Sequence, residues 1–239
     1  MAGGRDGGEY SGEPMKPFAN RTDAGRRLVR RLEHYARRSD VLVLALPRGG
    51  LPVGYEVAKA LGAPLDVLVI RKLGLPGQPE LAMGAIASGG VRVLNPDVVD
   101  SLAIPEDVLE RVAASEEAEL ERRDRAYRGN RPPPDVRGRV VILVDDGIAT
   151  GSTVRAALRV LRAQAPARLV VAVPTAAREI LEELEQEADE VIVVMTPSPF
   201  MAISLWYDDF SQLTDEEVRR FLDEARREFS PSAGAAVEP

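Results

Sequence analysis

The sequence predicts an α/β protein: an open, mostly parallel, doubly wound sheet with helices on both faces. Three observations carry this. Short aliphatic runs recur at Val41–Leu46, Leu65–Ile70, Val140–Val144, Arg168–Val173 and Val191–Met195, each suited to a strand buried on both faces. Helix-length segments with apolar residues at helical spacing lie between several of them, the alternation that makes a parallel sheet covered on both sides. Glycine, proline and acidic residues gather where the runs stop, as at Pro47-Arg48-Gly49-Gly50 and Asp145-Asp146-Gly147.

Composition narrows the function classes. At 239 residues the chain can bury a substantial core, and 45% hydrophobic with 29% charged residues is a globular balance. No apolar run approaches the ~20 residues that span a bilayer and no signal peptide opens the chain, so a cytoplasmic location is expected. Without cysteine there is no thiolate nucleophile, disulfide or cysteine zinc site. A formal net charge of −7 opposes long-range attraction to nucleic acid. Only Lys16, Lys59 and Lys72 among the 31 basic residues are lysines, so each can be weighed singly.

In chain order, residues 1–17 read as a disordered tail rich in glycine, proline and charge. A helix capped at Thr22 or Asp23 is expected to reach about Arg38, with Leu28, Val29 and Leu32 inward and Arg26, Arg27, Arg30, Arg31, Arg37 and Arg38 as a solvated face. His34, the single histidine, falls on this helix without a catalytic setting. Val41–Leu46 is a strand, Leu51–Leu61 a helix stopped by Gly62-Ala63-Pro64, and Leu65–Ile70 a second strand with Arg71-Lys72 just past its end. Gly74–Glu80 reads as a mobile loop; Met83–Ala87 and Val91–Leu94 form a hairpin through Ser88-Gly89-Gly90. A long charged helix covers Pro105–Arg128, followed by the connector Arg131–Pro134. After Val140–Val144 come a helix carrying Val154, Ala157, Leu158 and Leu161, a strand at Arg168–Val173, a helix at Ala176–Ala188 and a strand at Val191–Met195. Thr196–Gln212 is irregular and aromatic; Thr214–Phe229 is an amphipathic helix, with a tail at 230–239.

Three strand ends then need one explanation, because ligands of open parallel sheets sit at the strand C-termini. After Val140–Val144, the carboxylates of Asp145 and Asp146 precede a small-residue turn. The N–H groups of Ala149, Thr150, Gly151, Ser152 and Thr153 and three hydroxyls can hold a monophosphate at a helix N-terminus. Pro47-Arg48-Gly49-Gly50 offers an arginine and bare backbone to a second anion, and Arg71 and Lys72 add two positive charges. Between the two anion sites the acidic pair fits sugar hydroxyls, or a Mg²⁺ shared with the ligand. Such a ligand carries a phosphate at one end, a diphosphate at the other and a polyol between.

The stretch V-I-L-V-D-D-G-I-A-T-G-S-T closely resembles the signature of the type I phosphoribosyltransferases, and L-P-R-G-G resembles their pyrophosphate loop. The likeness runs from about Phe18 to Phe229 as one phosphoribosyltransferase domain, nearest a bacterial subgroup without an assigned acceptor. Gly147 departs from the aliphatic residue common at its position. The resemblance implies that fold with a small hood region, including residues 196–212, and a pentosyltransferase using 5-phosphoribosyl 1-pyrophosphate with Mg²⁺. It also implies that Asp145 and Asp146 contact the ribose hydroxyls and meet the Mg²⁺ either directly or through water. Arg48, Gly49 and Gly50 would hold pyrophosphate beside a cis Pro47–Arg48 bond. The Gly74–Glu80 loop would close over the site, and a homodimer is expected by analogy. Ala149 stands where 6-oxopurine enzymes carry an acid, and Ala172–Thr175 supplies no lysine, so a 6-oxopurine acceptor is disfavoured. Phe200, Trp206 and Tyr207 are the candidate stacking residues for another nitrogenous acceptor, with Asp208 or Asp209 to take its proton. The competing reading is a non-catalytic phosphoribosyl-pyrophosphate sensor that binds nucleic acid through the arginine-rich helix.

Overall fold

The computed structural model describes residues 17–229; the tails expected at 1–17 and 230–239 lie outside them except for Pro17. The chain enters α1 (Arg21–Leu32) and a 3-10 turn (Glu33–Tyr35), then β1 (Val41–Ala45), α2 (Gly50–Leu61) and β2 (Leu65–Val67). Next come β3 (Ile70–Leu75), β4 (Gln78–Ala87), β5 (Val91–Leu94), α3 (Pro96–Ser101) and the long α4 (Glu106–Arg128). The alternation resumes with β6 (Val140–Val144), α5 (Ser152–Arg162), β7 (Arg168–Thr175), α6 (Arg178–Glu187) and β8 (Glu190–Met195). A 3-10 turn (Ile203–Trp206) and α7 (Asp215–Phe229) follow.

The aliphatic runs build a five-stranded sheet in the order β2-β1-β6-β7-β8, parallel at every pairing. Every residue of β1 and β6 is buried, and their period of two divides them between two cores. Val41, Val43, Ala45, Ile142 and Val144 pack with residues of α1, α2 and α7; Leu42, Leu44, Val141 and Leu143 pack with residues of α5 and α6. Burying each such side chain is worth roughly 1.5–3 kcal/mol, so neither face of these strands has room for a polar residue. No described helix is long and apolar enough to cross a membrane.

Four expectations are corrected. The N-cap of α1 is Asn20, whose side chain accepts the Asp23 N–H at 2.9 Å while the Asp23 carboxylate accepts the Ala19 N–H at 3.2 Å. Those two bonds start the helix before Thr22. The α-helix stops at Leu32 and not near Arg38, and Arg37 has φ 60°. The expected strand Leu65–Ile70 divides: β2 ends at Val67 and Ile70 begins another sheet. The ladder with β1 runs out here: the Leu68 N–H still donates to the Ala45 carbonyl at 2.9 Å, but the next position on the β1 side is Pro47, which has no N–H, while the buried Arg128 guanidinium holds the outward Val67 carbonyl and, at 2.8 Å, the Asp66 carboxylate. Finally, Gly74–Glu80 is the tip of a β3–β4 hairpin, with Leu75 opposite Gln78 and Gly77 at φ 85°. With β5 these strands form a three-stranded antiparallel sheet beside the main one.

Candidate active site

Parallel pairing sets the site. Ala45 lies opposite Val144, so the loops leaving β1 and β6 emerge side by side at the C-terminal edge. The Leu46 N–H donates to the Val144 carbonyl at 2.9 Å and the Gly50 N–H to the Leu46 carbonyl at 3.0 Å, folding the first loop over the second. Pro47–Arg48 is a cis peptide, as the resemblance implied. A Cβ on Gly49 would lie 2.1 Å from Asp146 Oδ2, and one on Gly50 would lie 2.7 Å from the Val144 carbonyl and 2.9 Å from Asp145 Cα. Both glycines are therefore needed for the loop to rest against the acidic pair.

The acidic pair has unequal surroundings. Asp145 Oδ1 accepts the Asp146 N–H at 2.8 Å. Burial pushes the Asp145 carboxyl well above the usual carboxylate range, and the neighbouring Asp146 charge adds to this. Burial also raises Asp146, but Arg21 opposes it: the Arg21 Nε donates to Asp146 Oδ2 at 2.8 Å, with both side chains about nine-tenths buried. The remaining carboxylate oxygens are hard donors suited to Mg²⁺, whose octahedral shell would need further oxygens from water or a phosphorylated ligand. No cluster of three or more acidic or histidine side chains able to hold a metal occurs among the described residues. The pair therefore fits a metal shared with a ligand, not one enclosed by the protein.

Beyond it, Ala149, Thr150, Ser152 and Thr153 are exposed and Gly151 is buried with φ 71° as the N-cap of α5. A Cβ on Gly151 would lie 2.5 Å from Ile180 Cγ1, so this turn is pinned to α6 by the absence of a side chain. Its hydroxyls and the first N–H groups of α5 face solvent as an open anion cradle.

The remaining basic residues lie at different distances from this centre. Arg48 is half-exposed, its guanidinium 3.9 Å from the Asp215 carboxylate. Arg71 and Lys72 are not at the end of a parallel strand; they are inside β3, whose alternation sends neighbours to opposite faces. Arg71 Nε donates to Glu116 on α4 at 2.6 Å, away from the cradle. Lys72, 3.3 Å from Glu80, lines a cavity of about 360 Å³ together with Ser152 of the cradle. A second cavity of about 780 Å³ separates the hairpin tip from α4 and includes Arg71, Lys72 and Arg111.

The hood is held from beneath by Phe18, to which the sequence reading gave no role, and by Tyr207, to which it gave only a stacking role. Phe18 N–H donates to the Trp206 carbonyl and Asp208 N–H to the Phe18 carbonyl, both at 2.8 Å. Tyr207 is buried, its ring 5.3 Å from Phe18 and 5.0 Å from Phe210, and its hydroxyl donates to the Asp146 carbonyl at 2.5 Å. That commits the Tyr207 ring to the hood interior and leaves it no open face for stacking. Trp206 is half-buried and its Nε1 has no hydrogen-bond partner; Phe200 packs on the core beneath α5 and α6. Asp208 and Asp209 are exposed, and Asp209 accepts the Ser211 N–H at 2.9 Å.

Arg21 is the other unanticipated participant. Besides Asp146 it donates to the Ser211 carbonyl at 2.8 Å, and its Cζ lies 3.9 Å over the Phe210 ring. Nothing local marks it among the many arginines of α1, because its partner is 125 residues away.

Comparison with known proteins identifies the family. The phosphoribosyl transferase domain model matches residues 18–196. Proteins from two Mycobacterium tuberculosis strains, CDC 1551 and H37Rv, both named as candidate phosphoribosyl transferases, are 47% identical over 227 residues. Those matches cover 94% of this chain and 51% of the mycobacterial proteins, so the chain spans about half the length of the curated relatives it matches. The crystal structure of TT1426 from Thermus thermophilus is 43% identical, with a TM-score of 0.80 over 87% of this chain and 98% of that one. By the match of that domain model over residues 18–196, this chain belongs to the phosphoribosyl transferase domain family.

Proposed function

We propose that the chain is a Mg²⁺-dependent phosphoribosyltransferase that takes 5-phosphoribosyl 1-pyrophosphate and a nitrogenous acceptor and releases pyrophosphate. The observation that carries this is the contact between the glycine loop and the acidic pair, with an exposed anion cradle on the same loop as the pair. Two anion sites flanking two carboxylates match a ribose with phosphate on one side and diphosphate on the other.

On this reading the N–H groups and hydroxyls of residues 149–153 hold the 5′-phosphate, and the Arg48–Gly50 backbone holds the diphosphate, with Lys72 reaching in from β3. The acceptor nitrogen attacks ribose C1 from the side opposite the diphosphate; the C–N bond forms as the C–O bond breaks, and the acceptor proton passes to solvent or to a hood carboxylate. Positive charge builds on the ribose, where Asp145 and Asp146 accept its hydroxyls and stabilise it electrostatically. Mg²⁺, when bound, would neutralise charge on the departing diphosphate. Trp206 and Phe200 are the aromatic surfaces for the acceptor. Tyr207 supports them through Phe18 and Phe210.

The test is pyrophosphate release from 5-phosphoribosyl 1-pyrophosphate and Mg²⁺ across a panel of nucleobases and other nitrogen heterocycles. The double variant Asp145→Asn, Asp146→Asn is expected to keep the fold and lose turnover. Activity in that variant at the wild-type level would overturn the mechanism. A rise in melting temperature with the sugar diphosphate, but no turnover with any acceptor, would favour the sensor reading instead.

A further inference from the structure

We infer that Arg21 is a positioning residue of this site: its guanidinium fixes the Asp146 carboxylate for the ribose hydroxyls and joins it to the hood. The inference rests on the phosphoribosyl reading of the site given above. It starts from an inequality within the acidic pair. Asp145 is tied only to the N–H of its neighbour, whereas Asp146 is gripped at its side chain by Arg21 and at its carbonyl by the Tyr207 hydroxyl.

A buried carboxylate next to another needs such a partner. Unpartnered, two like charges side by side at a strand end turn apart, which moves an oxygen out of reach of the ribose hydroxyls. The Arg21 fork solves this geometrically. Nε takes Asp146 Oδ2 at 2.8 Å, Nη1 takes the Ser211 carbonyl at 2.8 Å, and the guanidinium plane rests on Phe210 with Cζ 3.9 Å from the ring centroid. Three contacts in different directions leave the side chain little freedom, and one of them is the carboxylate while two belong to the segment after the hood turn. Lysine cannot reproduce this, because an ammonium on a flexible stem has no planar fork. Arg21 thus carries the position of residues 210–211 directly to a group on the donor side.

A bare structural role, that of a strut holding the hood down, makes a different prediction, and the two are separable. Phe210→Leu removes the ring under the guanidinium and loosens the same segment, but leaves the Arg21–Asp146 pair in place. Calorimetric binding of 5-phosphoribosyl 1-pyrophosphate with Mg²⁺ to the full chain is measured for wild type, Arg21→Met, Arg21→Lys and Phe210→Leu. Trp206 emission and the thermal midpoint are read on the same samples. Arg21→Met is expected to bind at least about tenfold more weakly, as loss of one member of a buried charged pair does. Arg21→Lys should recover part of that loss, and Phe210→Leu should stay within about threefold of wild type while still shifting Trp206 emission.

Wild-type affinity in Arg21→Met, or equal losses in Arg21→Met and Phe210→Leu, overturns the inference. If Arg21→Met does not fold, Arg21→Lys decides: weaker binding with a native thermal midpoint supports the positioning role, and unchanged affinity overturns it. Failure of the wild type to bind the sugar diphosphate removes the phosphoribosyl reading and this inference together. Binding by the wild type that is indifferent to Arg21 removes this inference alone.

Discussion

Gly49→Ala isolates the contact between the glycine loop and the acidic pair. Gly49 has φ −62° and ψ −38°, a right-handed helical backbone that alanine adopts freely. The substitution therefore costs nothing in conformation, and removing glycine freedom from the unfolded chain should stabilise by about 0.5–1 kcal/mol. The opposing term is steric. The new Cβ lies 2.1 Å from Asp146 Oδ2 and 2.7 Å from its Cγ, while a close carbon–oxygen approach is about 3.3 Å.

The carboxylate must therefore retreat by about 1.2 Å. A shift of that size spoils the 2.8 Å bond from Arg21, either stretching it beyond hydrogen-bond range or driving the carboxylate into the guanidinium. Breaking a buried pair outright costs about 3–5 kcal/mol. Arg21 keeps the Ser211 carbonyl and the Phe210 ring, which places the loss at the low end of that range. Net destabilisation should be about 2 kcal/mol, or a melting midpoint lower by about 4–8 °C for a chain of this size. Trp206 is the single tryptophan and sits in the hood, so urea unfolding followed by its emission reads the change directly. Affinity for the sugar diphosphate, measured on the same variant, should fall with it. An unchanged midpoint together with unchanged affinity would show that Asp146 moves freely and that neither Gly49 nor Arg21 holds it.

Tyr207→Phe deletes the donor to the buried Asp146 carbonyl and should cost about 1–3 kcal/mol, with Trp206 emission moving toward that of exposed indole; equal stability and emission would deny the tie. Glu190→Gln tests a separate knot at the opposite end of the sheet, where Glu190 accepts the Tyr35 hydroxyl at 2.5 Å and Arg168 at 3.0 Å. Burial alone would raise this carboxyl, but the Tyr35 and Arg168 bonds outweigh it and hold it below the ordinary 4.5. A depressed folded value means stability that is present above pH 4.5 and lost as pH falls through the lower folded value. The wild type should therefore exceed Glu190→Gln by about 1 kcal/mol at neutral pH, and the gap should close in acid; a gap independent of pH in urea titrations would contradict the assignment.

The parts of this molecule that were legible in the sequence are those governed by local pattern. Val41–Leu46 and Val140–Val144 read as doubly buried strands because both faces of β1 and β6 need aliphatic volume. Their neighbouring loops could then be placed at one sheet edge. The illegible parts depend on distant partners. Leu65–Ile70 is a nearly unbroken aliphatic run, yet its ladder with β1 stops after Leu68 because Pro47 on the β1 side has no N–H, and Arg128, 61 residues beyond Val67, holds the Val67 carbonyl. That break moved Arg71 and Lys72 from a strand end to the middle of β3, where alternation sends Arg71 to Glu116. Tyr207 failed for another reason: an aromatic in an irregular segment has no periodicity to say whether its face meets a ligand or, as here, Phe18 and Phe210.

Gly147 shows how such distant partners can account for a local oddity. An aliphatic side chain is common at this position in sequences that resemble the signature, so glycine there removes volume next to the acidic pair. The volume is restored from elsewhere. A Cβ on Gly147 would lie 2.7 Å from Ile203 Cγ2 and 3.1 Å from Thr175 Cγ2, so Ile203 of the hood turn occupies the space. A side chain on residue 147 would be carried by the same loop as the carboxylates. Ile203 is attached instead to a segment located by the Phe18 backbone and by Tyr207. On the proposed reading the apolar surface beside the ribose then depends on how the hood docks. The ties from Arg21 and Tyr207 to Asp146 are what keep that surface in register with the donor site.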